Sequence, residues 1–168
     1  MTRIRLLFIL TIFISSLAFG QSDKKKELKT ELIGAWEFVE LRDAQENKID
    51  TIWHNVPVPG VNKKSYEIPK GPLLTYKSDG TYSKQFTPKN TDTGKWYYDK
   101  NKKAIIQMLY YSKPYGTAAQ YLIDKGHASK DENGEYYEVI TDEVIELTED
   151  KLIILEREGR QRTFKKKK

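Results

Sequence analysis

The chain of 168 residues reads as all-β: an antiparallel up-and-down β-barrel of eight or nine strands with a short N-terminal helix. Three observations predict this. After residue 34 most stretches alternate apolar and polar residues with period two, as half-buried strands require. Turn dipeptides separate them, Asp79-Gly80 and Asn133-Gly134 above all, and the short connections describe consecutive hairpins. A meander this long leaves exposed edges unless it closes on itself, and closure removes them. A β-sandwich has the same strand count; the barrel is the favoured arrangement of the two.

The first twenty residues are set aside before fold reasoning. Arg3 and Arg5 form a positive start, Leu6 to Ile14 an apolar stretch, and Ala18 and Gly20 the small residues before a cleavage point. Residues 1–20 therefore read as a signal peptide and residues 21–168 as one domain, exported to the periplasm or beyond. The apolar run is shorter than the roughly 20 residues that span a bilayer, so no integral anchor is expected after cleavage. The chain has no cysteine, hence no disulfide and no lipid-accepting thiol.

The elements follow in order. "SDKKKELKTELIG" reads as a helix over residues 24–32, capped by Ser22 or Asp23 and ended by Gly34. "AWEFVEL" places Trp36 and Phe38 on one strand face. "LLTYKSDGTYSKQF" is a hairpin that aligns Leu74 and Tyr76 with Tyr82 and Phe86. "GKWYYDKNKKAIIQMLYY" is a second hairpin, with Trp96 and Tyr98 on one face and Ala104, Ile106, Met108 and Tyr110 on the returning one. "AAQYLID" is a weaker strand. "EYYEVITDEVIEL" is a long strand bent near Thr141-Asp142, and "KLIILER" and "RQRTFKK" complete the meander, turning at Glu149-Asp150 and Glu158-Gly159.

Composition excludes several classes of function. Of 29 basic residues, two lie in the leader and four close the chain at 165–168, so the body is near neutral and lacks the basic, aromatic-interleaved stripe of a nucleic-acid binder. The two histidines, His54 and His127, stand in separate loops without ligand-spaced partners, which argues against a zinc site. There is no cysteine nucleophile, no glycine-rich phosphate loop, and no complete calcium loop around Asp131, Asn133 and Gly134. No cofactor and no enzymatic activity are expected.

Four motifs in order resemble the lipocalin-like domains of small secreted bacterial proteins, within the lipocalin superfamily. Leu32 to Trp36 matches the L-x-G-x-W opening, Tyr76 to Tyr82 the Y-x-x-D-G-T-Y hairpin, Gly94 to Trp96 the G-x-W strand, and Ile145 to Ile154 the closing hairpin. The resemblance spans nearly the whole mature chain and implies a barrel plugged at one end by Trp36, with Gly34 bringing helix and strand close. It also implies an arginine of the last strand lying over the Trp36 ring in a cation–π contact. Arg157, Arg160 and Arg162 are the candidates, and Arg162 is preferred because Phe164 shares its strand face.

Residues 42–72 depart from the pattern. A connection this long is uncommon unless functional or disordered, and Ile52, Trp53, Val56 and Val58 make it too apolar for wholesale disorder. It reads either as a lid over the open end or as an insertion packed outside. With three Trp, eleven Tyr and six Phe in the chain, the inward set includes Phe38, Tyr76, Tyr82, Phe86, Trp96, Tyr98, Ile106, Met108 and Tyr110. An eight-stranded barrel is just wide enough to be filled by side chains or to hold one small ligand.

Two classes of function follow. The resemblance implies a carrier or sensor of a small apolar or amphipathic molecule, with Trp53, Tyr76, Tyr82, Trp96, Tyr98, Met108 and Tyr110 as ligand-binding candidates. The other is a protein-interaction or inhibitory module that uses the 42–72 loop as its contact surface.

Overall fold

The computed structural model describes residues 27–54 and 65–168. The leader at 1–20, residues 24–26 of the expected helix, and Val56 and Val58 lie outside them. The strands are β1 (Gly34–Arg42), β2 (Ile52–His54), β3 (Ser65–Glu67), β4 (Leu73–Tyr76), β5 (Thr81–Thr87), β6 (Asn90–Asp99), β7 (Ala104–Tyr110), β8 (Ser129–Lys130), β9 (Tyr136–Leu147), β10 (Lys151–Leu155) and β11 (Gln161–Lys166). One α-helix, α1 (Thr117–Asp124), precedes β8.

Eight of these strands close on themselves in the order β10-β11-β1-β4-β5-β6-β7-β9, with β9 pairing back to β10. Every pairing around the ring is antiparallel. The fold is a closed, eight-stranded antiparallel barrel. β8 adds a ninth strand along the start of β9, and β2 and β3 form a separate hairpin within the 42–72 connection.

One end of the barrel is packed solid. Leu32, Trp36, Leu74, Tyr76, Trp96, Ile105, Leu152 and Phe164 form one apolar cluster, each no more than 2 % exposed. A water-sized void touching these side chains would leave them accessible surface, so this half of the interior is filled. Rings meet at favourable offsets: Tyr76 and Trp96 at 5.0 Å between centroids, and Phe38 and Phe164 edge-on at 6.1 Å. Gly94 is part of that packing. A Cβ there would fall 1.9 Å from the Met108 carbonyl and 2.9 Å from the Tyr82 ring, so only glycine lets strand and ring approach this closely.

Among the described residues of the expected helix, 27–32, only Thr30–Leu32 is helical, one 3-10 turn closed by Leu32 N–H to Lys29 carbonyl and Ile33 N–H to Thr30 carbonyl bonds. Glu27 instead pairs with Tyr98 as an isolated bridge. Leu28 and Leu32 still reach the core, and an extended approach to the barrel end delivers both without a costly helix nucleus.

The cation over Trp36 is Lys166, not Arg162. Strand register decides this: Trp36 faces Lys166 across β1 and β11, whereas Arg162 faces Leu41 towards the opposite end. The Lys166 ammonium sits 5.1 Å from the ring centroid and donates to the Glu31 carbonyl at 2.9 Å. Gly34 makes room for it. A Cβ at Gly34 would lie 2.8 Å from Lys166 Cε, and the glycine φ of +132° suits no L side chain.

Four other expectations change. β7 points the other way round: Ile105 joins the core, and Gln107 faces inward opposite Trp96. Ile106, Met108 and Tyr110 accordingly share the outer face with Tyr97 and Lys95. The run AIIQMLY is apolar on both faces, so alternation alone leaves its register open. "AAQYLID" is α1 rather than a strand; its alanines, glutamine and leucine are good helix formers, and Gln120 bonds Asp124 one turn on. Phe86 is 47 % exposed, because β5 carries it to the open rim beside a bulge. The irregularity in β9 falls where it pairs with β10, opposite Ile153-Ile154, rather than at Thr141-Asp142.

Replacing Lys166 with alanine should lower stability by about 1 kcal/mol through loss of the cation–π contact. It should also shift Trp36 emission, while Arg162→Ala leaves that emission unchanged. Denaturant titration followed by tryptophan fluorescence checks both.

Candidate functional site

The open end is where the interior changes character. Past the aromatic floor the inward positions become polar: Gln107 on β7, Asp142 on β9 and Arg162 on β11. Gln107 is completely buried, and its side-chain N–H donates to the Asp142 carboxylate and, at 3.3 Å, to the Tyr76 hydroxyl. Its carbonyl oxygen has no partner, and neither does the buried Tyr82 hydroxyl. Burial pushes the Tyr76 and Tyr82 hydroxyls above the usual tyrosine value; the Asp142 charge adds to this for Tyr76, and Asp92, Asp142 and Glu138 do so for Tyr82.

The barrel wall is incomplete at this end. β9 has twelve residues and β10 only five. β8 pairs with β9 at Tyr136 and Tyr137, and β10 begins pairing at Glu143, so residues 138–142 have no strand partner on that side among the described residues. The hydrogen-bond phase shows which groups this leaves open. Tyr136 accepts from the Tyr111 N–H and the Val144 N–H goes to Lys103, so even-numbered residues of β9 bond towards β7. The main-chain N–H and C=O of Val139 and Thr141 therefore point into the gap.

A cleft of about 410 Å3 occupies the gap, lined by Glu138, Ile140, Asp142, Leu155, Glu156, Arg160 and Arg162 with the edge residues Val139 and Thr141. A smaller hollow of about 160 Å3 lies against it under the base of the β2–β3 hairpin, lined by Phe38, Leu41, Ile52, Glu67, Pro69 and Lys70. Glu156, Arg160 and Arg162 belong to both and form the partition between them. Arg162 Nε is held by the Glu156 carboxylate at 2.7 Å. Arg160 Nε is buried without a partner. The turn that presents Arg160 is bonded from the Glu156 N–H to the Arg160 carbonyl at 2.7 Å, and Gly159 packs closely on Ala44.

Of the ligand-binding candidates read from the sequence, Tyr76, Tyr82, Trp96 and Tyr98 meet in one buried cluster, while Trp53, Met108 and Tyr110 lie apart from it. Tyr76, Tyr82 and Trp96 are packed into the floor or just above it. Tyr98 lies at the closed end, its ring 4.8 Å from the Lys29 ammonium. Met108 and Tyr110 face outward; Tyr110 stacks on Tyr137 at 5.4 Å and donates to the Asp131 carboxylate. Trp53 is 58 % exposed and pairs with Tyr66 across the β2–β3 hairpin. Gly34 and Trp36 hold the positions expected of them at the closed end. The groups that surround the clefts, Asp142, Glu156, Arg160 and Arg162, carry no motif. Their only signal in the sequence is charge beside core positions, on strands for Asp142 and Arg162 and in the β10–β11 turn for Glu156 and Arg160. Among the described residues no group of three or more His, Asp or Glu is arranged to hold a metal ion, and no helix is long and apolar enough to cross a membrane.

The folded state keeps the Tyr76 and Tyr82 protons at pH values where the unfolded chain releases them, so stability present below pH 10 should fall as pH rises beyond it. Tyr82→Phe removes a buried hydroxyl that has no partner. It should be neutral or stabilising by up to about 1 kcal/mol at pH 7, and it should weaken the alkaline loss. Denaturant midpoints at pH 8 and pH 11 test this.

No family model and no curated protein matches the chain. Two crystal structures are similar to it in fold. A lipocalin-like protein from Bacteroides uniformis is 15 % identical, with a TM-score of 0.46, covering 82 % of this chain and 99 % of the other. An uncharacterized protein from Bacteroides eggerthii is 17 % identical, with a TM-score of 0.45, covering 81 % of this chain and 99 % of the other.

Proposed function

We propose that this protein is a non-enzymatic, exported binding protein that takes a small amphipathic molecule at the open end of its barrel. The observation that carries the reading is the pair of adjoining hollows. Each sets apolar walls (Ile140 and Leu155 on one side, Phe38, Leu41 and Ile52 on the other) against the same charged partition. A cleft of about 410 Å3 falls within the size range of small-molecule sites, and its lining is more polar than apolar. The filled floor leaves no room for a long apolar body deep in the barrel, so the ligand lies across the rim and the wall gap. The β2–β3 hairpin, whose Ile52 and Glu67 line the smaller hollow, is suited to cover it.

A second reading, a protein-contact surface on the 42–72 connection, is favoured by the exposure of Trp53, Tyr66 and Ile68 on one hairpin. Native mass spectrometry of protein purified from its own host separates the two. A lipid-sized or smaller adduct that survives desalting supports the ligand reading. A bare mass, with no change in tryptophan emission or melting temperature on adding amphiphiles, transfers the function to the hairpin surface.

Export is the second part of the proposal, resting on the charged start, apolar run and small residues at 1–20. N-terminal sequencing of the protein from the host envelope or medium should begin at Gln21 or Ser22; an intact Met1 would overturn it.

A further inference from the structure

Within the proposed binding function, we infer that the ligand is a short basic peptide, which adds to the barrel as a strand along the open edge of β9. The slot has the dimensions of one missing strand. β8 and β10 both run antiparallel to β9 on the side away from β7, and residues 138–142, a stretch of five, lie between them. A peptide that continues the line of β10 enters beside Leu155 and ends beside Ser129, so the two strands limit its paired length to that stretch.

The edge carries what such a strand requires. Val139 and Thr141 each turn a main-chain N–H and C=O into the gap, because their even-numbered neighbours bond towards β7. Donors and acceptors therefore alternate along the slot, a pattern that an extended peptide complements and a hydrocarbon tail cannot. Arg160 adds a donor for a carbonyl on the peptide's far edge, since its buried Nε–H has no acceptor.

Side chains set the peptide's sequence. Gln107 faces inward with Ile140 as its direct partner, so Glu138, Ile140 and Asp142 share the inward face of the edge. Residues opposite them are best basic, apolar and basic in turn. The lining as a whole sets Glu138, Asp142 and Glu156 against Arg160 and Arg162, an excess of one acid. A second copy of the chain fits badly. Edge-to-edge pairing about Ile140 would put Glu138 opposite Asp142, and like charges oppose it. A strand longer than the slot also meets β8 and β10 at its ends.

The probe is acetyl-Lys-Thr-Val-Thr-Lys-amide, titrated by calorimetry into the full purified chain beside acetyl-Glu-Thr-Val-Thr-Glu-amide and two N-methylated forms. The lysine peptide should bind at least about tenfold tighter than the glutamate peptide, because two cross-strand contacts change from opposite to like charge. Methylating its second and fourth residues' nitrogens removes the donors that face β9 and should cost at least about tenfold. Methylating the third, which faces away, should cost far less. Saturation should slow hydrogen exchange at the Val139 and Thr141 amides. Thr141→Pro deletes one edge donor at a position where the sheet makes no use of it, and should weaken the lysine peptide by about tenfold.

Equal binding of the lysine and glutamate peptides overturns the basic ligand. Equal loss from the two methylation patterns, or binding that leaves Val139 and Thr141 exchanging as fast as before, overturns strand addition. Failure of every peptide to bind overturns the inference, and a non-peptide adduct from the host then leaves the binding function standing without it. If Thr141→Pro melts too low to assay, the methylation series on the wild-type chain decides.

Discussion

The Trp36 indole is the constraint on which the rest of the barrel depends. Its N–H donates to the Leu32 carbonyl at 2.8 Å, its ring is wholly buried, and Lys166 lies over its outer face. A closed barrel has no edges, but it has two ends, and an apolar interior must be shut off from water at one of them at least. Trp36 does this with a single side chain tied to the segment that crosses beneath it. The bond satisfies a buried donor that would otherwise oppose burial, and it sets where the chain passes from the 3-10 turn into β1. From that point strand register propagates: Trp36 opposite Leu74 on one side and Lys166 on the other.

The opposite end follows different rules because its strands differ in length. β9 outruns β10, and the ring therefore opens on one side just where the inward positions turn polar. Polar side chains can be held there because they satisfy one another, Gln107 with Asp142 and Tyr76, and Arg162 with Glu156. Groups left without partners, Arg160 Nε, Gln107 Oε1 and the Tyr82 hydroxyl, gather towards the same end. Stability and function are thus divided along the barrel axis. The packed aromatic floor supplies burial, and the rim carries the polar groups that a small ligand could complete.

Much of the fold was legible in the sequence, for reasons that are local. Asp79-Gly80 makes its turn with the Asp79 carboxylate accepting from the Thr81 N–H and hydroxyl, and Asn133-Gly134 makes its own under Asp131. Chemistry of that kind needs only neighbouring residues. Trp36, Phe38, Leu74, Tyr76, Tyr82, Trp96 and Tyr98 fall on the inward faces their alternation assigns. Where alternation is absent, as in AIIQMLY, the pattern assigns no inward face, and where helix propensity competes with a short apolar run, as in "AAQYLID", it does not decide the element.

The candidate site was hardly legible at all. Fold class and turn positions follow from residue types and spacing, because they rest on interactions within a few positions along the chain, and the Trp36 plug and its glycine are what the motif resemblance implies. Which cation covers Trp36, which face of β7 enters the core, and which charges meet at the wall gap follow from strand register and strand length. Arg160 and Val139 are 21 positions apart and become neighbours only when β9, β10 and β11 pair around the ring. Such contacts are long-range, so only tertiary structure decides them; the sequence by itself determined the barrel, and closure of the barrel determined the site.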